Sequence, residues 1–137
     1  MTRALLVIDD NKSVRDSLKF LLQRRGYEVL VAENGNQALT LAAEHDVGGA
    51  LIDVNMPGIN GLQACRMLRE GAAAKGRTIS IWMMTGARTP QLHKEAAEAG
   101  ALAVLGKPFD FAELFKRFEE AFGGAPELPK PDAVDQR

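Results

Sequence analysis

The chain has 137 residues, enough for one domain with a core between a sheet and its helices but not for two, so one domain plus tails is expected. With 46% hydrophobic and 26% charged residues and a formal net charge of -1, it has the composition of a soluble globular protein, and nothing predicts strong attraction to nucleic acid or an anionic membrane. Cys65, the one cysteine, cannot form an internal disulfide, and no Cys/His cluster has zinc-like spacing, which fits a reducing compartment and makes the cytoplasm the default.

The first apolar run, Ala4 to Ile8, is interrupted by Asp9-Asp10 well short of a signal-sequence core or a membrane span of roughly 20 residues, and reads as a buried strand. Val14, Leu18, Leu21 and Leu22 then share a helical face, with Gly26 as terminator. A weaker run, Glu28 to Ala32, predicts a second strand, and the second helix runs from about Asn36 to Glu44. Ala50-Leu51-Ile52 forms the third strand, whose first residues the preceding Gly48-Gly49 should weaken. A helix from about Leu62 to Glu70, a strand over Ile79 to Met84, and a helix from Pro90 to Ala99 stopped by Gly100 follow. After a weak run from Ala101 to Leu105, Asp110 and Glu113 make a near capping box for a last helix striped by Leu114, Phe115, Phe118 and Phe122. Beyond Phe122 the composition turns to Gly123-Gly124-Ala125-Pro126, Pro129 and Pro131, a tail or linker. Strand-helix alternation repeated five times predicts a parallel sheet covered by helices on both faces, a doubly wound α/β fold.

Ligands of such sheets bind beyond the carboxyl ends of the strands, where strand order reverses. Four runs end there in polar groups: Asp9-Asp10, Asp53, Thr85 and Gly106-Lys107-Pro108. Carboxylates about 4 Å apart repel by about 4 kcal/mol at an effective dielectric of about 20, so acids sharing a crevice need a cation. Mg²⁺, a hard ion that bridges carboxylates to phosphates, suits them, and Lys107 adds a second positive charge. The set is arranged to neutralise a phosphoryl group while an oxygen nucleophile attacks, and Asp53 is the best placed nucleophile. Singly, each residue reads more simply, as a turn former, a cap or a solvated lysine; the placement of all four at strand ends carries the reading.

Val7-Ile8-Asp9-Asp10, Leu51-Ile52-Asp53-Val54-Asn55-Met56-Pro57-Gly58 with Gly61, Met84-Thr85-Gly86 and Gly106-Lys107-Pro108-Phe109 together resemble the response-regulator receiver domains of two-component signalling, over roughly Arg3 to Phe122. The resemblance implies a flavodoxin-like sheet of five strands in the order 2-1-3-4-5 with five helices, a receiver domain at 1–122 and a tail or linker at 123–137. It implies a phosphorylation-dependent switch: Asp53 accepts a phosphoryl group from a sensor histidine kinase or phosphotransfer protein, and Asp9 and Asp10, the latter more directly, hold Mg²⁺ with Asp53 and the backbone carbonyl of Asn55. Thr85 would move to hydrogen-bond the phosphoryl group and Lys107 would pair with it, reshaping the face of helix four, strand five and helix five that a downstream protein partner or output domain reads. Such a chain is a phospho-acceptor regulator that catalyses only its own phosphorylation and dephosphorylation, with no direct nucleic-acid or membrane binding. The family also implies a cis Lys107-Pro108 bond.

Three positions depart from the family pattern. Val104 stands where the family often has a Tyr or Phe that rotates with the threonine. Gly86 follows Thr85 where Ala is more usual, which should loosen the loop that closes on phosphate, and Gly48-Gly49 precede the third strand. Of the other functions on this fold, a haloacid-dehalogenase-type phosphatase would need a second Asp where Asn55 stands, and a flavodoxin-like electron carrier would not have the acidic first turn Asp9-Asp10-Asn11-Lys12-Ser13. A binding module that has lost phosphorylation is disfavoured because every chemical position is filled. His45 and His93 read as surface or cap residues, Trp82-Met83-Met84 as strand core, Arg24-Arg25 and Arg66/Arg69 as solvated helix faces, and Cys65 as a small apolar packing residue. Starting at Met1 and ending in polar residues slightly favours a stand-alone regulator over the receiver piece of a longer protein.

Overall fold

The computed structural model describes residues 3–56, 58–107 and 110–121. Its elements, in chain order, are β1 (Ala4–Ile8), α1 (Lys12–Arg24), β2 (Val29–Ala32), α2 (Gly35–Glu44), β3 (Val47–Asp53), α3 (Gly61–Ala74), β4 (Ser80–Thr85), α4 (Pro90–Ala99), β5 (Ala103–Gly106) and α5 (Phe111–Ala121). The strands pair in parallel in the order β2-β1-β3-β4-β5, the doubly wound five-stranded sheet expected from the alternation. Pro57, the Lys107-Pro108 bond, Phe109, Phe122 and the tail at 123–137 lie outside the described residues.

Apolar side chains on successive residues of a strand point to opposite faces, which is why the strands read as continuous apolar runs. Leu6, Ile8, Ala50, Ile52, Ile81, Met83 and Val104 pack with α2, α3 and α4 residues such as Ala38, Ala64, Cys65, Leu68, Ala96 and Ala99. Leu5, Val7, Leu51, Trp82, Met84 and Leu105 pack on the other face with Leu18 and Leu22 of α1 and Leu114 and Phe118 of α5. The ring of Phe118 sits between Tyr27 and Trp82, with centroids 5.6 and 4.9 Å away. Trp82, Met83, Met84 and Cys65 are core residues, as their sequence setting suggested. His45 is the exposed C-cap of α2 and His93 is exposed on α4.

Helix ends follow side-chain chemistry. Asn11, Asn34, Asn60 and Thr89 cap α1, α2, α3 and α4 by accepting a backbone N–H two or three residues into the helix. Asp110 Oδ1 accepts from the N–H groups of Ala112 and Glu113, supporting the expected start of α5. The two-sided capping box stands on α3, between Asn60 and Gln63. That helix runs to Ala74 rather than to about Glu70, because three consecutive alanines extend it at no side-chain entropy cost. Gly26 and Gly100, at φ 95° and 99°, supply the left-handed residues that end α1 and α4.

Unlike the expectation, β3 begins at Val47 and takes in both glycines. The pairing with β1 slips there, from Ala4↔Val47 to Leu5↔Gly49, so Gly48 is an extra residue in the ladder. A Cβ on Gly48 would lie 3.0 Å from the Arg3 Cβ, and the bare backbone lets Arg3 lie across the strand. Arg3 pairs with Asp46 at 3.1 Å and donates to the carbonyls of Val47 and Thr78, and Arg77 also reaches Asp46 at 3.1 Å. This network closes the amino end of the sheet and leaves the carboxyl end for the crevice.

Gly61, the first residue of α3, fixes how closely that helix approaches β3. A Cβ there would collide with the Asp53 carbonyl oxygen and lie 2.8 Å from the Val54 Cα, both backbone atoms that cannot step aside. Gly61→Ala should therefore lower stability by about 1–3 kcal/mol, read as a lower Tm in thermal unfolding; an unchanged Tm would show that α3 can move off the strand freely.

Candidate functional site

The strand order reverses between β1 and β3, which lie side by side with β2 on one flank and β4 and β5 on the other. Asp9 and Asp10 follow β1 and Asp53 ends β3, so the crevice between them is lined by acids from both sides. Oxygens of the three carboxylates all lie within 4.8 Å of one another. At an effective dielectric of about 20, each such pair repels by about 3 kcal/mol or more, so the cluster stands only with cationic help.

Lys107, directly after β5, supplies part of it. Its Nζ lies 2.7 Å from Asp9 Oδ2 and 3.8 Å from Asp53 Oδ2, with the Asp9 side chain only 1% exposed. Lys107 is held there by its own backbone, whose N–H donates to the Thr85 carbonyl at 2.8 Å. Each oxygen of Asp9 accepts one hydrogen bond: Oδ2 from Lys107, and Oδ1 from the Asn11 N–H at 2.9 Å. Asp10 is exposed, so its carboxylate is the more available of the pair. Asp53 Oδ1 accepts from the Asn55 N–H at 3.2 Å. Burial, and then the neighbouring Asp9, push the Asp53 carboxyl above the usual carboxylate range, while the Asn55 N–H and Lys107 pull it back.

Thr85, at the end of β4, is buried beside this cluster with its hydroxyl turned into its own loop. It accepts from the Ala87 N–H at 3.1 Å and lies 3.3 Å from the Ala87 carbonyl, to which it donates. Val104 is buried among core residues, two register positions before the Thr85↔Gly106 end of the β4–β5 ladder. Asp9, Asp10, Asp53, Thr85 and Lys107 therefore gather on one crest, with the Asn55 backbone beside Asp53.

Arg15, on α1, has no sequence signal of this kind. Its guanidinium donates to the Asp9 carbonyl at 2.8 Å and approaches Glu33 at 4.0 Å, bracing the end of β1 against the turn after β2. An arginine six residues after an aspartate predicts no such contact; only the path of α1 back over the sheet creates it.

A carboxyl whose pKa is raised by folding favours its neutral form in the native state. Ionising it costs stability as pH rises from the unfolded value of about 3.9 through the higher folded value. In metal-free buffer near neutral pH, Asp53→Asn should therefore raise the Tm above wild type, and the gap should close as pH falls below about 4. An equal Tm for both at neutral pH would mean that Lys107 fully offsets the burden on Asp53.

Residues 5–119 match the response regulator receiver domain family. The response regulator MprA of Mycolicibacterium vanbaalenii is 36% identical over 113 residues, which are 82% of this chain and 47% of that protein. The sensory/regulatory protein RpfC of Xanthomonas campestris pv. campestris is 32% identical over 132 residues, 96% of this chain and 18% of that protein. The chain thus spans about half, or less, of the length of these curated relatives. Among solved structures, the Vibrio cholerae chemotaxis protein CheY4 superposes with a TM-score of 0.81 at 30% identity, covering 88% of this chain and 99% of that one. With the crest of acids, lysine and threonine on a sheet of this order, these matches establish that the chain belongs to the response regulator receiver domain family, the phosphorylation-dependent switches of two-component signalling.

Proposed function

We propose that the chain accepts a phosphoryl group on Asp53 from the phosphohistidine of a sensor histidine kinase or phosphotransfer protein. In that reaction an Asp53 carboxylate oxygen attacks phosphorus, the new O–P bond forms as the N–P bond breaks, and the imidazole nitrogen leaves with the electron pair and is protonated by solvent. The observation that carries the reading is the charge of the crest: three carboxylates within 4.8 Å and one ammonium leave a formal -2, which calls for a cation.

The donor set fits Mg²⁺, with hard carboxylate oxygens of Asp9, Asp10 and Asp53 and the Asn55 backbone carbonyl as the proposed ligands. When bound, Mg²⁺ would neutralise the negative charge shared by acids and phosphoryl oxygens. Lys107, 3.8 Å from Asp53 Oδ2, is placed to pair with a phosphoryl oxygen there. Thr85 would leave the Ala87 turn to donate its hydroxyl to that group, and the face of α4, β5 and α5 would change for a downstream partner or output domain.

On this reading residues 1–122 are the receiver, 123–137 a tail or linker, and the chain regulates without turning over a substrate of its own. None of the described helices is long and apolar enough to cross a membrane, and a cytoplasmic location without direct nucleic-acid binding is proposed.

Incubation with acetyl phosphate and Mg²⁺, followed by intact mass, should show one phosphoryl adduct on wild type and none on Asp53→Ala. An unmodified wild type, or equal labelling of both, overturns the assignment. Asp10→Ala should weaken Mg²⁺ affinity by about tenfold or more in a titration, and unchanged affinity would remove Asp10 from the ligand set.

A further inference from the structure

The Thr85 hydroxyl has one proton, which it now donates to the Ala87 carbonyl. It cannot also donate that proton to a phosphoryl oxygen on Asp53, so turning toward Asp53 breaks the bond that closes the turn over Gly86 and Ala87. The loop has room to respond, because a Cβ on the exposed Gly86 would meet nothing within 4 Å.

The next residue is Arg88, which runs back across β5. A Cβ on Gly106 would lie 3.3 Å from Arg88 Nε and 3.6 Å from its Cζ, so the guanidinium rests where a larger residue's side chain would stand. Gly106 is the ladder partner of Thr85 and directly precedes Lys107, so Arg88 touches the strand end that carries the site's ammonium. Together with Lys107, Asp110, Glu113 and Leu114, Arg88 lines a polar cleft of about 340 Å³ at the start of α5. Among the described residues no carboxylate pairs with Arg88. The acids facing it are committed elsewhere: Asp110 caps α5, and Glu113 pairs with Arg117 at 3.3 Å. Val104, 4% exposed within the core, has no polar side-chain atom with which to report on the threonine.

We propose that Arg88 is a positioning residue that couples the Thr85 turn to the start of α5, its guanidinium leaving the Gly106 backbone for Asp110 and Glu113 when Thr85 turns toward Asp53. This rests on the reading that Asp53 takes the phosphoryl group. The coupling is electrostatic and steric: release of the turn moves one cation within a cleft already lined by two acids, Asp110 at the cap of α5 and Glu113 on its first turn.

The test uses the full chain, ¹⁵N-labelled, with Mg²⁺ and acetyl phosphate, reading adduct by intact mass and amide shifts by NMR. In wild type, phosphorylation should shift the amides of Gly86–Thr89 and of Asp110–Leu114. Arg88→Ala should take the adduct to the same extent and keep the loop shifts, while the response at Asp110–Leu114 falls to less than about half. Arg88→Lys, which keeps the charge, should restore most of that response. A full α5 response in Arg88→Ala, or equal losses in Arg88→Ala and Arg88→Lys, overturns the role of Arg88 alone. A wild type that takes no adduct overturns the reading of Asp53, and this inference with it.

Discussion

The crest of this molecule is organised by one ion pair. Lys107 and Asp9 are 98 residues apart in sequence and directly follow β5 and β1, strands separated in the sheet by β3 and β4. To reach Asp9 at 2.7 Å the lysine side chain passes over the ends of both intervening strands, coming within 3.8 Å of Asp53 on the way. A buried pair of this kind contributes little net stability once desolvation is counted, but it leaves little freedom in where its partners lie. Here it sets the position of the ammonium relative to the proposed nucleophile, and with Asn11 it occupies both oxygens of Asp9, leaving Asp10 as the exposed carboxylate.

That arrangement needs strand ends held to within a fraction of an ångström, and the packing beneath supplies this. On the face covered by α2, α3 and α4 the helices contribute mainly small buried residues, Ala38, Ala64, Cys65, Ala96 and Ala99, which bring three helices close to the sheet. The other face uses large ones, with Trp82 and Phe118 filling the space between the sheet and α5. Gly61 is a point of close approach on the first face, and it lies directly against the Asp53 backbone. The stability of the α3 packing and the geometry of the site are thus one constraint. Cys65 belongs to the same layer: its thiol donates to the Ala99 carbonyl, and burial raises its pKa to about 11, so it behaves as a packing group and not as a thiolate.

The crest is also held by a hydrogen bond that the proposed turn of Thr85 toward a phosphoryl group would break. The Thr85 hydroxyl closes its own loop, and that loop carries the arginine that lies on β5. In a receiver with an aromatic residue at the position of Val104, a rotating ring can link the threonine to the outer face; a valine buried to 4% exposure cannot swing outward in that way. The proposed relay accordingly runs along the backbone and charge of the loop and not through the core.

Much of this was legible in the residues alone. Apolar runs without alternation, each cut off by a polar residue, read as strands covered on both faces, and five of them interleaved with helical stripes predict a parallel doubly wound sheet. Because ligands of such sheets bind at the carboxyl ends, Asp9, Asp10, Asp53, Thr85 and Lys107 could be named as one site from their positions after those runs. Tertiary structure decided the pairings: that Lys107 bonds Asp9 more closely than Asp53, that Arg15 braces the Asp9 carbonyl, that Gly48 is the extra residue beside Arg3, and that Arg88 lies on Gly106. Periodicity and capping are local, acting over a few residues, and so are written in the sequence. Which charge meets which depends on through-space distances between strand ends many tens of residues apart, and those distances exist only once the sheet has set its order and register.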